Sequence, residues 1–380
     1  VTDKRPAEVF APGEFIREEL EARGWTQADL AKIMGRPTQT INAIIIGMKS
    51  VTAQTATELG KALGTSAQLW LNLQSSYDLS RQGDASDEIA QRAKLYEIAP
   101  LKAMEARGWI HKTHTFADLK AEVSRFYQTE NLEAVPLLKI AARSNAESTT
   151  ESHAAQVCWG YRAQQLARCL KAAVFSKDKI TAKLGDLRKL AAYPEEIRYV
   201  PRVLADMGIR FVIVQHLPKS KIDGASLMVG QSPVIAMSLR YDRIDNFWHT
   251  LMHELSHVLH DEPIIDVDID GKDNDASESR ADSDAANMLI PSETLDSFIV
   301  RVGPLYSKER INQFANRIHI HPGIIVGQLQ HRGKLKFWNK RDMVDVHIRH
   351  IVTQEALTDG WGRSISLGQG ESPNGNENQN

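Results

Sequence analysis

The residues best placed to do chemistry are His253-Glu254-Leu255-Ser256-His257, with Glu278 following in Glu278-Ser279-Arg280-Ala281-Asp282. On a helix, residues four apart lie one above the other, so both imidazoles face one side and can grip a single Zn2+. Glu254 stands next to the first histidine, where a carboxylate can take the proton of a water activated by that metal. A catalytic zinc takes three protein ligands and keeps one position open. Glu278 supplies the third. Asp282 lies one turn beyond Glu278 on the same face, placed to accept the free N–H of a ligand histidine. His260 shares the face of His253 and His257 but stands about 10 Å along the axis from His253. Ligand atoms on one zinc lie no more than about 4 Å apart, so His260 reads as a helix-end or pocket-rim residue. Asp266, Asp268, Asp270 and Gly271 mimic the opening of a calcium loop, but that loop needs Glu at its twelfth position and Ser277 stands there. The segment reads as an acidic loop.

These groups need elements to hold them. Phe247, Trp248, Leu251, Leu255, Val258 and Leu259 surround the histidines on a helix expected over 243–259, which sets them beside a core. A second helix, expected over 277–289 and stopped by Pro291, carries Glu278 and Asp282. Upstream, residues 209–214, 226–229 and 234–237 are β-branched and predict a small antiparallel sheet with turns at 221–225 and 230–233. Helices are expected again over 307–318 and 322–330. Between about 84 and 192 the chain reads as helical, and its apolar stripes (Leu95, Ile98, Leu101, Met104; Val157, Tyr161, Ala167, Leu170) are ordinary core packing. Tyr241, Tyr306, His319 and His321 are candidates for stabilising an oxyanion, although packing is the commoner use of each.

A second constellation lies near the start. Thr26-Gln27-Ala28-Asp29-Leu30-Ala31, Gly35, then Pro37-Thr38-Gln39-Thr40-Ile41-Asn42 and Gly47 read as a helix-turn-helix. Leu30, Ile33 and Met34 pack its first helix; Ile41, Ile44 and Ile45 hold the second. Thr38, Gln39 and Asn42 then face outward near the N-terminus of the recognition helix, and Gln and Asn suit the edge of adenine. Arg36 and Lys49 flank it as phosphate contacts. From Leu30 to Thr57 there is no Asp or Glu, while the acids gather at Glu14, Glu18, Glu19 and Glu21, so one face is open to a phosphate backbone. Gly24, Gly35, Gly47 and Gly64 punctuate the helices, and Thr26, Thr52 and Ser66 cap them.

Composition bounds the rest. At 380 residues, 42% apolar and 25% charged, the chain has material for two or three domains with real cores. A net charge of −2 excludes a wholesale basic nucleic-acid binder, not a local basic face. No stretch approaches the roughly 18 apolar residues of a membrane span, and the opening Val1-Thr2-Asp3-Lys4-Arg5-Pro6 leads into no apolar signal region. No membrane partner is expected. The two cysteines, Cys158 and Cys169, lie too far apart along one helix for a disulfide and read as reduced and buried, which predicts a cytoplasmic protein. Beyond Gly360 the polar tail has nothing to bury and is expected to be disordered.

Residues 12–79 resemble the Xre-like helix-turn-helix domains, most closely the HigA antidotes of addiction modules. Leu69-Trp70-Leu71-Asn72-Leu73-Gln74 with Tyr77-Asp78-Leu79 carries the match. Residues from about 180 to 330 resemble the ImmA/IrrE metallopeptidases. The motifs are Lys221-Ile222-Asp223-Gly224-Ala225, Ser238-Leu239-Arg240-Tyr241-Asp242, the two metal motifs, and Ile320-His321-Pro322-Gly323-Ile324. That resemblance implies a gluzincin-like zinc peptidase with His253, His257 and Glu278 as ligands, of a family that relieves repression by cutting repressor proteins after stress. The expected fold is mainly α with a small α+β, zincin-like metallopeptidase domain. It has an N-terminal five-helix, lambda-repressor-like domain over 1–83, a helical middle region over 84–179, the peptidase over 180–335, and a C-terminal extension over 336–380. The expected function is a regulator binding operator DNA as a homodimer, with Zn2+ as cofactor and a repressor or toxin-like protein as substrate. The alternative is an antitoxin-like repressor whose metallo-domain only senses a ligand or binds a toxin.

Overall fold

The computed structural model describes residues 9–81, 86–132, 150–260, 272–363 and 365. The calcium-like segment 266–271 and the tail beyond 365 lie outside the described residues. The chain divides into two compact units, 1–91 and 92–380. It is mainly helical with one small mixed sheet. Among the described residues no helix is long and apolar enough to cross a membrane.

Among the described residues up to 81, the first unit holds five helices: α1 (Pro12–Arg23), α2 (Gln27–Met34), α3 (Thr38–Ile45), α4 (Ala53–Leu63) and α5 (Ala67–Arg81). Thr26 starts α2 with a reciprocal box. Its hydroxyl accepts the Asp29 N–H, and the Asp29 carboxylate accepts the Thr26 N–H. Thr52 caps α4 and Ser66 caps α5. Gly24, Gly35 and Gly64 close α1, α2 and α4 at φ of 66°, 64° and 69°, a backbone that a Cβ disfavours. Ile16, Leu30, Ile41, Ile44, Leu59 and Trp70 build the core. Ile33 does not join it: it is 51% exposed. Leu30, Ala31 and Met34 centre the inner face of α2, and Ile33 lies roughly 110° round the helix from that centre.

In the chain that follows, α6 (Ser86–Ile98) leads to α7 (Leu101–Ala106), α8 (Phe116–Tyr127), α9 (Thr150–Arg168), α10 (Lys177–Lys189) and α11 (Val200–Met207). The sheet of the second unit comprises β1 (Arg210–Val214), β2 (Gly224–Val229), β3 (Ser232–Met237) and β4 (Leu357–Asp359), in the order β2-β3-β1-β4. Strand alternation divides two cores. Phe211, Ile213, Ile235 and Met237 enter one; Val212, Val214, Val234 and Ala236 enter the other, on the opposite face. The helix α9 covers the second face, where Trp159 donates to the Val214 carbonyl at 2.8 Å. On the first face lies α12 (Ile244–Leu259), packed against α13 (Lys272–Leu289). After α14 (Ser292–Val302) and α15 (Lys308–Ile318), α16 (Pro322–His331) also packs on α12, and α17 (Arg341–Val344) and α18 (Arg349–Glu355) lead into β4.

The sheet corrects the expectation of an antiparallel one. Only β2 and β3 pair antiparallel; β1 runs parallel to β3 and to β4. The run Phe211-Val212-Ile213-Val214 is buried on both faces, which is how a strand with parallel neighbours reads. The second correction concerns Cys169, which is exposed while Cys158 is buried. Cys169 lies just past the end of α9, where the chain leaves the core. The boundaries drawn at 179 and 335 fall inside the second unit.

Candidate metal centre and recognition helix

Apolar residues on several sides of α12 draw it into the interior. His253, Glu254, Ser256 and His257 go with it, each 1% exposed. Buried polar groups need partners, and α13 brings them. His253 Nε2 and His257 Nε2 lie 3.1 Å apart. Glu278 places Oε2 3.2 Å from the first and Oε1 3.4 Å from the second. Ligands at 2.0–2.1 Å on a tetrahedral zinc are about 3.3–3.4 Å apart, so the donor set fits that ion in type, number and spacing. The sequence therefore leads to three groups that the fold does bring together.

The surroundings also match that donor set. His253 Nδ1 lies 2.9 Å from Asp282 Oδ1, a carboxylate placed to accept an Nδ1–H and leave Nε2 toward the other donors. Burial works against a charged His253, yet hydrogen bonds to Asp282 and Glu278 outweigh it and lift the imidazole to about 9. Burial likewise works against a charged Glu278, but the two histidines hold its carboxyl at about 2. Both shifts share one cause, the carboxylates of α13 facing the imidazoles of α12. Sequence reasoning passes over His249, whose Nε2 lies 3.3 Å from Asp282 Oδ1. Its position four residues before His253 is the signal that sets it on the same face.

Glu254 stands beside the donors without belonging to them. The Ser226 hydroxyl, on β2, lies 2.9 Å from Glu254 Oε2, while Oε1 is buried with no hydrogen-bond partner. Burial pushes this carboxyl up from its usual range. Gly224 makes the room: a Cβ there would come within 2.9 Å of Glu254 Oε1 and 2.8 Å of Thr250 Cγ2. His260 caps the end of α12 and pairs with Asp284 at 2.9 Å, outside the donor triangle. Of the oxyanion candidates, Tyr306 packs against Phe298, His319 ends α15 and His321 caps α16, whereas Tyr241 stays half-exposed.

On α3, Ile41, Ile44 and Ile45 are buried, and Thr38, Gln39 and Asn42 are exposed, as is Lys49 beyond the helix. Arg36 differs from its expected use. Its guanidinium forks onto Glu58 of α4 at 2.5 and 3.0 Å, so a carboxylate just past the acid-free stretch neutralises it.

Comparison with known proteins finds likenesses over the N-terminal part of the chain. A family model described as helix-turn-helix matches residues 16–70. Virulence-associated protein I of Dichelobacter nodosus is 42% identical over 77 residues, 20% of this chain and 71% of that protein. Antitoxin HigA-1 of Vibrio cholerae is 39% identical over 101 residues, 26% of this chain and 88% of that protein. Among solved structures, an addiction module antidote protein of a HigA family from Coxiella burnetii is 36% identical; the match covers 22% of this chain and 94% of that one, with a TM-score of 0.21. The residues matched by the family model end well before His253.

Proposed function

Because the chain belongs, through its N-terminal unit, to the helix-turn-helix family of HigA-type antitoxins and regulators, we propose that it is a DNA-binding transcriptional regulator carrying its own zinc peptidase. On this reading the second unit is a zincin-like domain of the ImmA/IrrE type, and it relieves repression by cleaving a regulator under stress. The observation that carries it is the triangle of His253, His257 and Glu278 donors with buried Glu254 beside it. When bound, Zn2+ supplies polarisation of a scissile carbonyl and a lowered pKa for water. His253, His257 and Glu278 would hold the ion, and Asp282 would keep His253 Nε2 turned to it. Ser226 steadies one oxygen of Glu254 and leaves Oε1 to accept a proton from the attacking water and pass it to the leaving amine. A carboxyl raised by burial is better matched to doing both. Thr38, Gln39, Asn42 and Lys49 offer the operator contacts, and a homodimer would read two half-sites.

The test is metal analysis of the purified full chain together with its incubation alone and with its DNA. About one Zn2+ per chain and shortened product abolished by a chelator are expected. Full occupancy in a His253→Ala, His257→Ala double variant sinks the site. The antitoxin relative favours a second reading, a repressor whose metal cluster senses a ligand or binds a toxin. Zinc without proteolysis supports that one.

A further inference from the structure

A pocket of about 290 Å³ opens beside the metal cluster. His249 joins the two, since it lines the pocket and lies 3.3 Å from Asp282, the partner of His253. Apolar lining comes from Ala286, Leu289 and Ile324, and cationic lining from Arg240, Arg243 and Arg332. Asp223 and Asp245 also line it, but each is held by a single edge of a guanidinium. Arg240 reaches Asp223 through Nε and Nη2, and Arg243 reaches Asp245 in the same way. Nη1 of both arginines has no hydrogen-bond partner among the described residues, although a guanidinium fork carries five N–H donors. Arg332 is turned to Asp296 and Ser292. Gln328 donates its Nε2–H to the Ala286 carbonyl, which fixes the amide and leaves Oε1 buried and unpartnered. Tyr241 and Phe337, 49% and 71% exposed, also line the pocket. Exposed aromatic side chains beside arginines suit the holding of a protein partner.

Resting on the peptidase reading, we propose that this pocket selects an acidic side chain, Asp or Glu, on the protein segment presented to the metal centre. The carboxylate meets the open Nη1 edges of Arg240 and Arg243. A lysine or arginine side chain brings only donors to those open edges, and the carboxylates of Asp223 and Asp245 are already held, so it is disfavoured. An apolar one leaves the open donors unmatched when it displaces their water.

The experiment uses the full chain loaded with Zn2+ and a pool of peptides from a digested bacterial lysate, with the cuts mapped by mass spectrometry. An acidic residue is expected at one fixed position from the scissile bond. Matched synthetic peptides carrying Asp or Asn at that position should then differ in kcat/KM by about tenfold to a hundredfold, the range for hydrogen bonds to a charged group. Arg243→Gln should bring that ratio near one with metal content unchanged. Ala286→Phe, which narrows the pocket without touching a charge, should do the same. Cuts with no fixed acidic position, or a preference that survives both variants, overturn the proposal. If the zinc-loaded wild type cuts nothing, the peptidase reading itself falls and the subsite falls with it.

Discussion

Glu254 lies outside the donor triangle, so on the proposed peptidase reading its replacement separates proton transfer from metal binding. Glu254→Gln keeps the bond to Ser226 and should retain zinc while losing ~10²–10⁴-fold in rate, read from peptide cleavage beside metal content. Gly224→Ala attacks the same carboxylate from the other side: its Cβ would crowd Glu254 Oε1 at 2.9 Å, so cleavage should fall while zinc stays. Asp282→Ala acts one bond further out. It removes the acceptor of His253 Nδ1, and a competing chelator should strip zinc at roughly ten- to a hundredfold lower concentration. An unchanged zinc affinity would leave Asp282 without the role assigned to it. The thiols differ too: a native Ellman titration should find Cys169 and not Cys158, whose burial pushes its pKa up, and denaturant should release the second. His253 with His257, and Glu278 with Asp282, were legible because a spacing of four sets each pair on one face of its own helix, and Glu254 was legible as the neighbour of His253. Ser226 and Gly224 were not, because their bearing on Glu254 depends on a strand crossing a helix far from it in sequence.

Among the elements, those that declare themselves by their own residues were legible and those defined by pairing were not. The capping of α2 and α4 follows from Thr26, Thr52 and the glycines, and α12 follows from its apolar flanks. The strand β4 has three residues and owes its existence to β1, with Thr358 opposite Ile213. The ion pair of Arg36 with Glu58 joins the turn between α2 and α3 to α4, segments that the sequence reading treated separately. This pair changes what is expected of the DNA face. Gln39→Ala removes an exposed amide proposed to read a base, and should cost roughly 1–3 kcal/mol of operator binding while relaxing sequence preference. Lys49→Ala should weaken binding evenly and flatten its salt dependence. Gel-shift titrations over a salt series separate the two patterns. Equal salt slopes for wild type and Lys49→Ala would remove Lys49 from the phosphate contacts.

At the scale of the whole molecule, two things need to hold: the second unit must stay closed around its sheet, and its chemistry must reach the regulator's output. Closure can be tested through Asp359, which ends β4 and accepts from Arg162 and Trp109 in the interior, the ion pair being 5% and 1% exposed. Asp359→Ala leaves a guanidinium buried without its counter-charge, so the full chain should lose roughly 3–5 kcal/mol in a urea titration. The link between chemistry and output is tested by Glu254→Gln in cells. If cleavage releases repression, a chain that holds zinc, folds and binds DNA but cannot move the proton should remain a repressor under the inducing stress. His253→Ala is the control that loses the metal too, and part of its local stability with it, because metal binding energy is partly folding energy. A promoter reporter and an immunoblot for shortened regulator, taken before and after stress, give the comparison. Glu254→Gln should hold the reporter down and show only full-length protein, while wild type releases the one and shortens the other. Derepression of Glu254→Gln to the wild-type level would mean that proteolysis is not the switch, and the metal cluster would then act by binding alone.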